Sequence, residues 1–162
     1  LHYIGFDLSL SSTGVAVIDE EGYIVETMAI KTDINDYRGV GGFSERVVFI
    51  TEMLMSVLRE YRPAKLAIEA MPFGSMGYGV MDRAKLLGAL EYRIATETPE
   101  HKGALYVYPR TLKKACTGSG KSDKSQIKHA VDSLYGYDLE LTTDDEYDAM
   151  SLALYVGGWF NA

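Results

Sequence analysis

The sequence predicts an α/β protein built on a mixed five-stranded sheet, with three antiparallel strands first, parallel crossovers after them, and helices on both faces. Two observations predict it. Three β-rich runs follow one another at the start, separated only by short polar turns. Beyond them, apolar stretches of helical period alternate with short strand-like runs, the pattern of strand–helix crossovers. The element order is β-β-β-α-β-α-β-α-α, and at 162 residues we expect a single domain over residues 1–162.

The first three strands are read at residues 3–7, 14–19 and 23–30, with Ser11-Ser12-Thr13 and Glu20-Glu21-Gly22 as the turns between them. Residues 33–42 are a polar connection. A helix follows over 43–61, where Val47, Ile50, Leu54, Val57, Leu58 and Tyr61 recur at helical spacing. Ser44 is the expected N-cap. Met53, Leu54, Met55 and Leu58 give this helix more apolar circumference than one sheet covers, which points either to a homodimer face or to a thick core. Pro63 stops the helix, and residues 65–69 form the fourth strand. Residues 71–80 are a glycine-containing loop that carries Phe73, Met76 and Tyr78. The second helix spans 82–96, with Leu86, Leu87, Leu90 and Ile94 inward. The fifth strand covers 105–108 and is closed by Pro109. A short helix at 110–116, a flexible break at 117–120, a helix at 122–135 and a last helix at 144–159 complete the chain. Right-handed crossovers place the strands that follow helices beside the first strand.

Composition narrows the function. No apolar run approaches the roughly 20 residues of a membrane span. Residues 1–10 place Asp7 inside an apolar stretch and lack the basic flank of a secretory signal. The lone Cys116 has no internal disulfide partner, so the expected setting is a reducing, cytoplasmic one. The net charge of −7 opposes phosphate binding at first sight. Basic residues nonetheless gather as Arg110, Lys113, Lys114, Lys121, Lys124 and Lys128, interrupted only by the acid Asp123. Such a stripe can meet a polyanion on an otherwise acidic surface, or can simply be a solvated face.

The acids carry the chemistry. Asp7 closes the first strand and Glu69 the fourth, and a carboxylate ending a buried strand is costly unless it is paired or binds a cation. Sites in open sheets lie just beyond strand ends. In Thr142-Thr143-Asp144-Asp145-Glu146-Tyr147-Asp148, Thr143 and Glu146 fit a capping box that starts a helix at Asp144. Asp145 and Asp148 then share a face, but so do Asp144 and Asp148, so spacing alone leaves the choice open. Acids in a first helical turn also suit its dipole without any function. Carboxylates gathered in this way suit Mg²⁺, and two such ions can serve phosphodiester hydrolysis. His2, His101 and His129 have no metal-like spacing.

With these residues in view, the sequence resembles the RuvC-like Holliday junction resolvases of the ribonuclease H-like superfamily. The resemblance lies in Ile4-Gly5-Phe6-Asp7-Leu8-Ser9 with Thr13-Gly14, in Ala67-Ile68-Glu69, in residues 106–113 with 118–126, and in the final Asp145-Glu146-Tyr147-Asp148-Ala149. It implies metal ligands Asp7, Glu69, Asp145 and Asp148, with Asp144 as second choice, and two Mg²⁺ ions per active site that Mn²⁺ can replace. Lys124 would stabilise charge near the scissile phosphate. The implied activity is paired nicking of four-way junctions and other branched DNA by a homodimer, in recombination and repair, leaving 5′-phosphate and 3′-hydroxyl ends. Arg110, Lys113, Lys114, Lys121, Lys124 and Lys128 would contact DNA. Phe73 is the nearest match to the family's junction-probing aromatic, and Tyr78 is its neighbour on the same loop. The compact length and acidic balance look like those of phage-borne members, which would act in the host cytoplasm.

Three rivals remain. An ATP-binding domain of the actin and sugar-kinase type shares the first-strand acid and a turn like Ser9 to Gly14, but normally carries a duplicated second domain. A non-catalytic junction-binding protein has no need of four intact acids. A relative acting on RNA would be separated by matched RNA and DNA substrates.

Overall fold

The computed structural model describes residues 1–37, 39, 41–71, 74, 77–98, 103–137 and 139–160. Strands β1 (His2–Asp7), β2 (Ser12–Asp19) and β3 (Ile24–Lys31) lead to α1 (Gly42–Tyr61), β4 (Lys65–Glu69), α2 (Tyr78–Glu97) and β5 (Leu105–Val107). Helices α3 (Pro109–Thr117), α4 (Lys124–Leu134) and α5 (Asp144–Gly157) close the order. The sheet runs β3-β2-β1-β4-β5. β1 pairs antiparallel with β2 and parallel with β4, and β4 pairs parallel with β5. The expected mixed sheet is present. β5 lies outside β4 rather than beside β1, because β2 and β4 already occupy both edges of β1.

Strand alternation sends side chains to two cores. Ile4, Phe6, Val15, Val17, Leu66 and Ile68 face α1 and α2, where they meet Ile50, Leu54, Leu58, Leu86 and Leu90. Ala16, Ile18, Ala67 and Val107 face the other way, toward α3, α4 and α5. Helices on both faces explain the nearly continuous apolar strands. Among the described residues, no helix is long and apolar enough to cross a membrane.

Several expected boundaries move. α1 starts at Gly42 with Gly41 as its N-cap, not at Ser44. A side chain at Gly42 would collide with the Tyr37 carbonyl, so glycine permits the earlier start. Leu54, Met55 and Leu58 are buried and Met53 packs beside them. These four apolar residues of α1 are thus covered within the chain, where α2 lies against the helix, while Val48 and Phe49 on the same helix stay exposed. α2 begins at Tyr78, four residues early, which puts Tyr78 on a helix instead of a loop. α4 begins at Lys124, capped by Asp123 and Gln126, while Ser122 is buried and bonds back to Thr117 and Ser119. The break before it is a hydrogen-bonded turn, in which left-handed Gly118 (φ 82°) caps α3. Left-handed Gly158 ends α5, and Trp159 folds back to meet Tyr3 edge-on.

Candidate active site

Asp7 and Glu69 are the last residues of two adjacent parallel strands, where Phe6 and Ile68 are register partners. They therefore leave the sheet side by side at its carboxyl-terminal edge. The third arm is α5, which lies unusually close to the sheet. A side chain at Gly5 would collide with the Ala149 carbonyl, and one at Gly14 with the Asp145 carbonyl. Glycine at both positions lets the helix backbone touch the strands and sets its first two turns beside Asp7.

Those turns are fixed locally. Thr143 Oγ1 accepts from the Glu146 N–H at 3.2 Å, and Glu146 Oε2 accepts from both Thr142 and Thr143. These hydrogen bonds lower the proton affinity of Glu146 against its burial. The expected capping box is thus present, and it uses Glu146 for structure. Asp144 is exposed, whereas Asp145 and Asp148 are half-buried against the sheet.

An open pocket of about 350 Å³ is lined by Asp7, Glu69, Pro109, Leu112, Lys113, Lys124, Ile127 and Asp148. Burial first, then repulsion from Asp148 and Glu69, pushes the Asp7 carboxyl up to about 7. Asp148 is also raised, because burial outweighs the contact with Lys124 Nζ at 3.1 Å. Asp145 does not line the pocket. Its Oδ2 accepts from Ser12 Oγ at 2.6 Å, although its charge still reaches Asp7. Glu69 pairs with Arg83, at 3.3 Å from Nη1 to Oε1. Among the described residues, no three acidic, histidine or cysteine groups converge as a closed metal cage. The partners explain this: Arg83, Lys124 and Ser12 each hold one carboxylate.

Crowded, partly buried carboxylates are short of positive charge, and the raised proton affinity of Asp7 and Asp148 reports it. Their hard oxygen donors fit a hard divalent cation, and Asp7, Glu69 and Asp148 would hold it, with Asp145 joining on release from Ser12.

The basic residues divide. Lys113 and Lys124 line the pocket, while Arg110, Lys114, Lys121 and Lys128 are exposed around it on α3, α4 and the turn between them. Lys128 Nζ sits 4.8 Å from the centre of the Tyr147 ring. At the start of α4 the Asp123 side chain accepts from the Gln126 N–H and so takes one of the donors of the first turn. Tyr78 is 89% exposed on the first turn of α2. Phe73 lies outside the described residues. Sequence reading missed Ser12 and Arg83. Arg83 had a signal, because it extends the inward stripe of Leu86, Leu90 and Ile94 by one turn, and a cation on an inward stripe requires an acid.

A family model described as crossover junction endodeoxyribonuclease RuvC matches residues 3–155. The chain belongs to the RuvC family. The RuvC protein of Neorickettsia sennetsu is 31% identical over 156 residues, covering 94% of this chain and 90% of that protein. That of Rickettsia massiliae is 31% identical over 160 residues, covering 93% and 92%. The fold is similar to that of Thermus thermophilus RuvC, solved alone and in complex with a Holliday junction substrate. Each comparison has a TM-score of 0.81 at 20% identity, and covers 98% and 99% of this chain and 95% and 93% of those chains. A yeast mitochondrial Holliday junction resolvase is more distant, with a TM-score of 0.62, 14% identity and coverage of 96% and 76%. The ribonuclease H-like reading of the sheet stands. RuvC membership sets aside the ATP-binding alternative and places the chain in a family of metal-dependent nucleases.

Proposed function

We propose that this RuvC-family chain is a structure-selective endonuclease that resolves Holliday junctions and other branched DNA by paired nicking, leaving 5′-phosphate and 3′-hydroxyl ends. One observation carries the reading: Asp7 and Glu69, ending neighbouring parallel strands, share a pocket with Asp148, Lys113 and Lys124. The name and the junction-bound state of the relatives support the choice of substrate.

Asp7, Glu69, Asp145 and Asp148 hold two divalent cations, Mg²⁺ with Mn²⁺ as a substitute. Bound there, the ions supply an activated water and a stabilised leaving oxygen. Lys124, with its side chain 70% exposed, leaves Asp148 at little cost and turns toward the scissile phosphate. Lys113 flanks it in the pocket. Arg110, Lys114, Lys121 and Lys128 contact phosphates and set the register of the duplex arms without reading sequence. Tyr78 stacks on unpaired bases near the branch point, with Phe73 on the preceding segment. A four-way junction with paired cuts calls for two active sites related by a two-fold axis, hence a homodimer. The whole described sheet and its helices act as one nuclease domain, working in the cytoplasm of the cell or, for a phage-borne chain, of its host.

Labelled four-way junction, Y-fork and linear duplex, each incubated with Mg²⁺ or EDTA, test this reading. Cleavage of the junction with Mg²⁺ alone is expected, and linear duplex should survive. Asp7→Asn should lower junction cleavage by about 10³-fold or more, several kcal/mol at about 1.4 kcal/mol per decade, while junction binding persists. Full cleavage by purified Asp7→Asn protein would remove the proposed site.

A further inference from the structure

Arg83 is the unusual member of this site. It lies in the first turns of α2, and its side chain is only 17% exposed. The guanidinium reaches the end of β4 and grips Glu69 twice: Nη1 donates to Oε1 at 3.3 Å and Nη2 donates to the main-chain oxygen at 3.0 Å. A single planar fork therefore fixes both the last peptide of the strand and the carboxylate that hangs from it. Among the described residues, Oε2 of Glu69 receives no donor, and Glu69 lines the pocket beside Asp7. The packing of α2 holds the fork in place, because Leu86, Leu90 and Ile94 continue the same stripe into the core.

We propose that Arg83 is a positioning residue for the nuclease site, holding Glu69 by one oxygen so that the other faces the divalent cation. This rests on the reading of Glu69 as a metal ligand. Carboxylates that bind metal are themselves held by hydrogen bonds, and loss of such a partner typically costs 10–100-fold in metal affinity. Lys124 differs. Its contact with Asp148 is a single bond from a mostly exposed ammonium. Charge alone predicts the opposite sign for Arg83, since removing a cation from beside the site should tighten metal binding. The measurement therefore separates a clamp from a competing counter-ion.

Mn²⁺ binding to the DNA-free protein, followed by electron paramagnetic resonance, reads the effect directly. Arg83→Gln is expected to weaken Mn²⁺ binding by about 10–100-fold, and high metal concentration should restore junction cleavage. Arg83→Lys keeps the charge but loses the fork, so it should recover only part of the affinity. If Arg83→Gln fails to fold, the comparison of Arg83→Lys with wild type carries the test. In a Glu69→Gln background, Arg83→Gln should weaken Mn²⁺ binding by less than about twofold more, because its effect passes through Glu69. Unchanged or tighter Mn²⁺ binding in Arg83→Gln overturns the proposal. So does weaker junction binding in EDTA with Mn²⁺ binding intact, which would make Arg83 a DNA contact. Wild-type Mn²⁺ affinity in Glu69→Gln alone overturns the metal-ligand reading itself, and the clamp with it.

Discussion

The two faces of the sheet are covered by different means. On the α1 and α2 side, large side chains fill the space: Ile4, Phe6, Leu66 and Ile68 meet Ile50, Leu54, Leu58, Leu86 and Leu90. On the α5 side, Gly5 and Gly14 lie against helix backbone, and the neighbouring contacts come from Ala16, Ala67, Ala149 and Ala153. Flexible side chains can re-pack around a change, whereas backbone against backbone has no rotamer to adjust. The face that delivers Asp145 and Asp148 is the one that cannot yield. Close approach of α5 at the carboxylates comes from the absence of side chains at Gly5 and Gly14, while Ile18, Met150, Leu152 and Leu154 fill the rest of that face.

One pair of substitutions would break this contrast or sharpen it. In Gly14→Ala the new methyl strikes the Asp145 carbonyl, so the start of α5 must shift. A misplacement of about 1 Å can cost 10²-fold in rate, and overpacking about 1–3 kcal/mol in stability. Junction cleavage should fall about 10²-fold while the protein still folds. Ile50→Val, in the fully buried opposite core, should cost about 0.5–1.5 kcal/mol of stability and leave the cleavage rate within about twofold. Equal effects of the two on rate would show that α5 is not the rigid arm.

The contrast also explains what was legible in the sequence. Strand and helix order could be read because period and turn chemistry are local, and the Thr143–Glu146 box placed α5 to the residue. Asp7 and Glu69 could be picked out as acids at strand ends and Asp148 as an acid on the last helix, whereas spacing left Asp144 and Asp145 equal and only the family resemblance favoured Asp145. What spacing did not contain was orientation. Asp145 turns to Ser12, 133 residues away in sequence, and Glu69 to Arg83 on another element. The starts of α1 and α2 were missed because Gly41 and Gly77 precede them without a side-chain cap. The apolar excess of α1 could not reveal its owner, since a partner helix of the same chain and a second copy demand the same residues.

Asp7 stands where the two faces meet, which makes its titration a gauge of both. Burial raises its carboxyl first, Asp148 and Glu69 add to this, and Arg83 opposes them. The folded chain keeps the Asp7 proton up to about pH 7, whereas the unfolded chain releases it near pH 4. Between those values the folded state binds more protons, so this contribution to stability is full below about pH 4 and is lost as pH rises through about 7. In EDTA, Asp7→Asn should melt close to wild type at pH 4 and several degrees above it at pH 8. Saturating Mg²⁺ should reverse the order at pH 8, because only wild type keeps its full ligand set. A melting difference that ignores pH would show that the carboxylates do not crowd Asp7.

The smallest expected effect concerns the basic rim on the α5 side. Lys121 is exposed in the turn between α3 and α4, and among the described residues its ammonium makes no ion pair. Lys124, three residues on, is tied to Asp148. If the rim positions DNA and the pocket performs the chemistry, the two lysines should separate by observable. Lys121→Ala should weaken junction binding alike on all sequences and reduce the slope of log affinity against log salt by about 1. Its cleavage rate at saturating enzyme should stay at the wild-type level. Lys124→Ala should do the reverse, lowering the saturated rate more than the affinity. Matching salt slopes in Lys121→Ala and wild type would place the DNA arms elsewhere on the surface, and the pocket would then have to be reached from the α2 side.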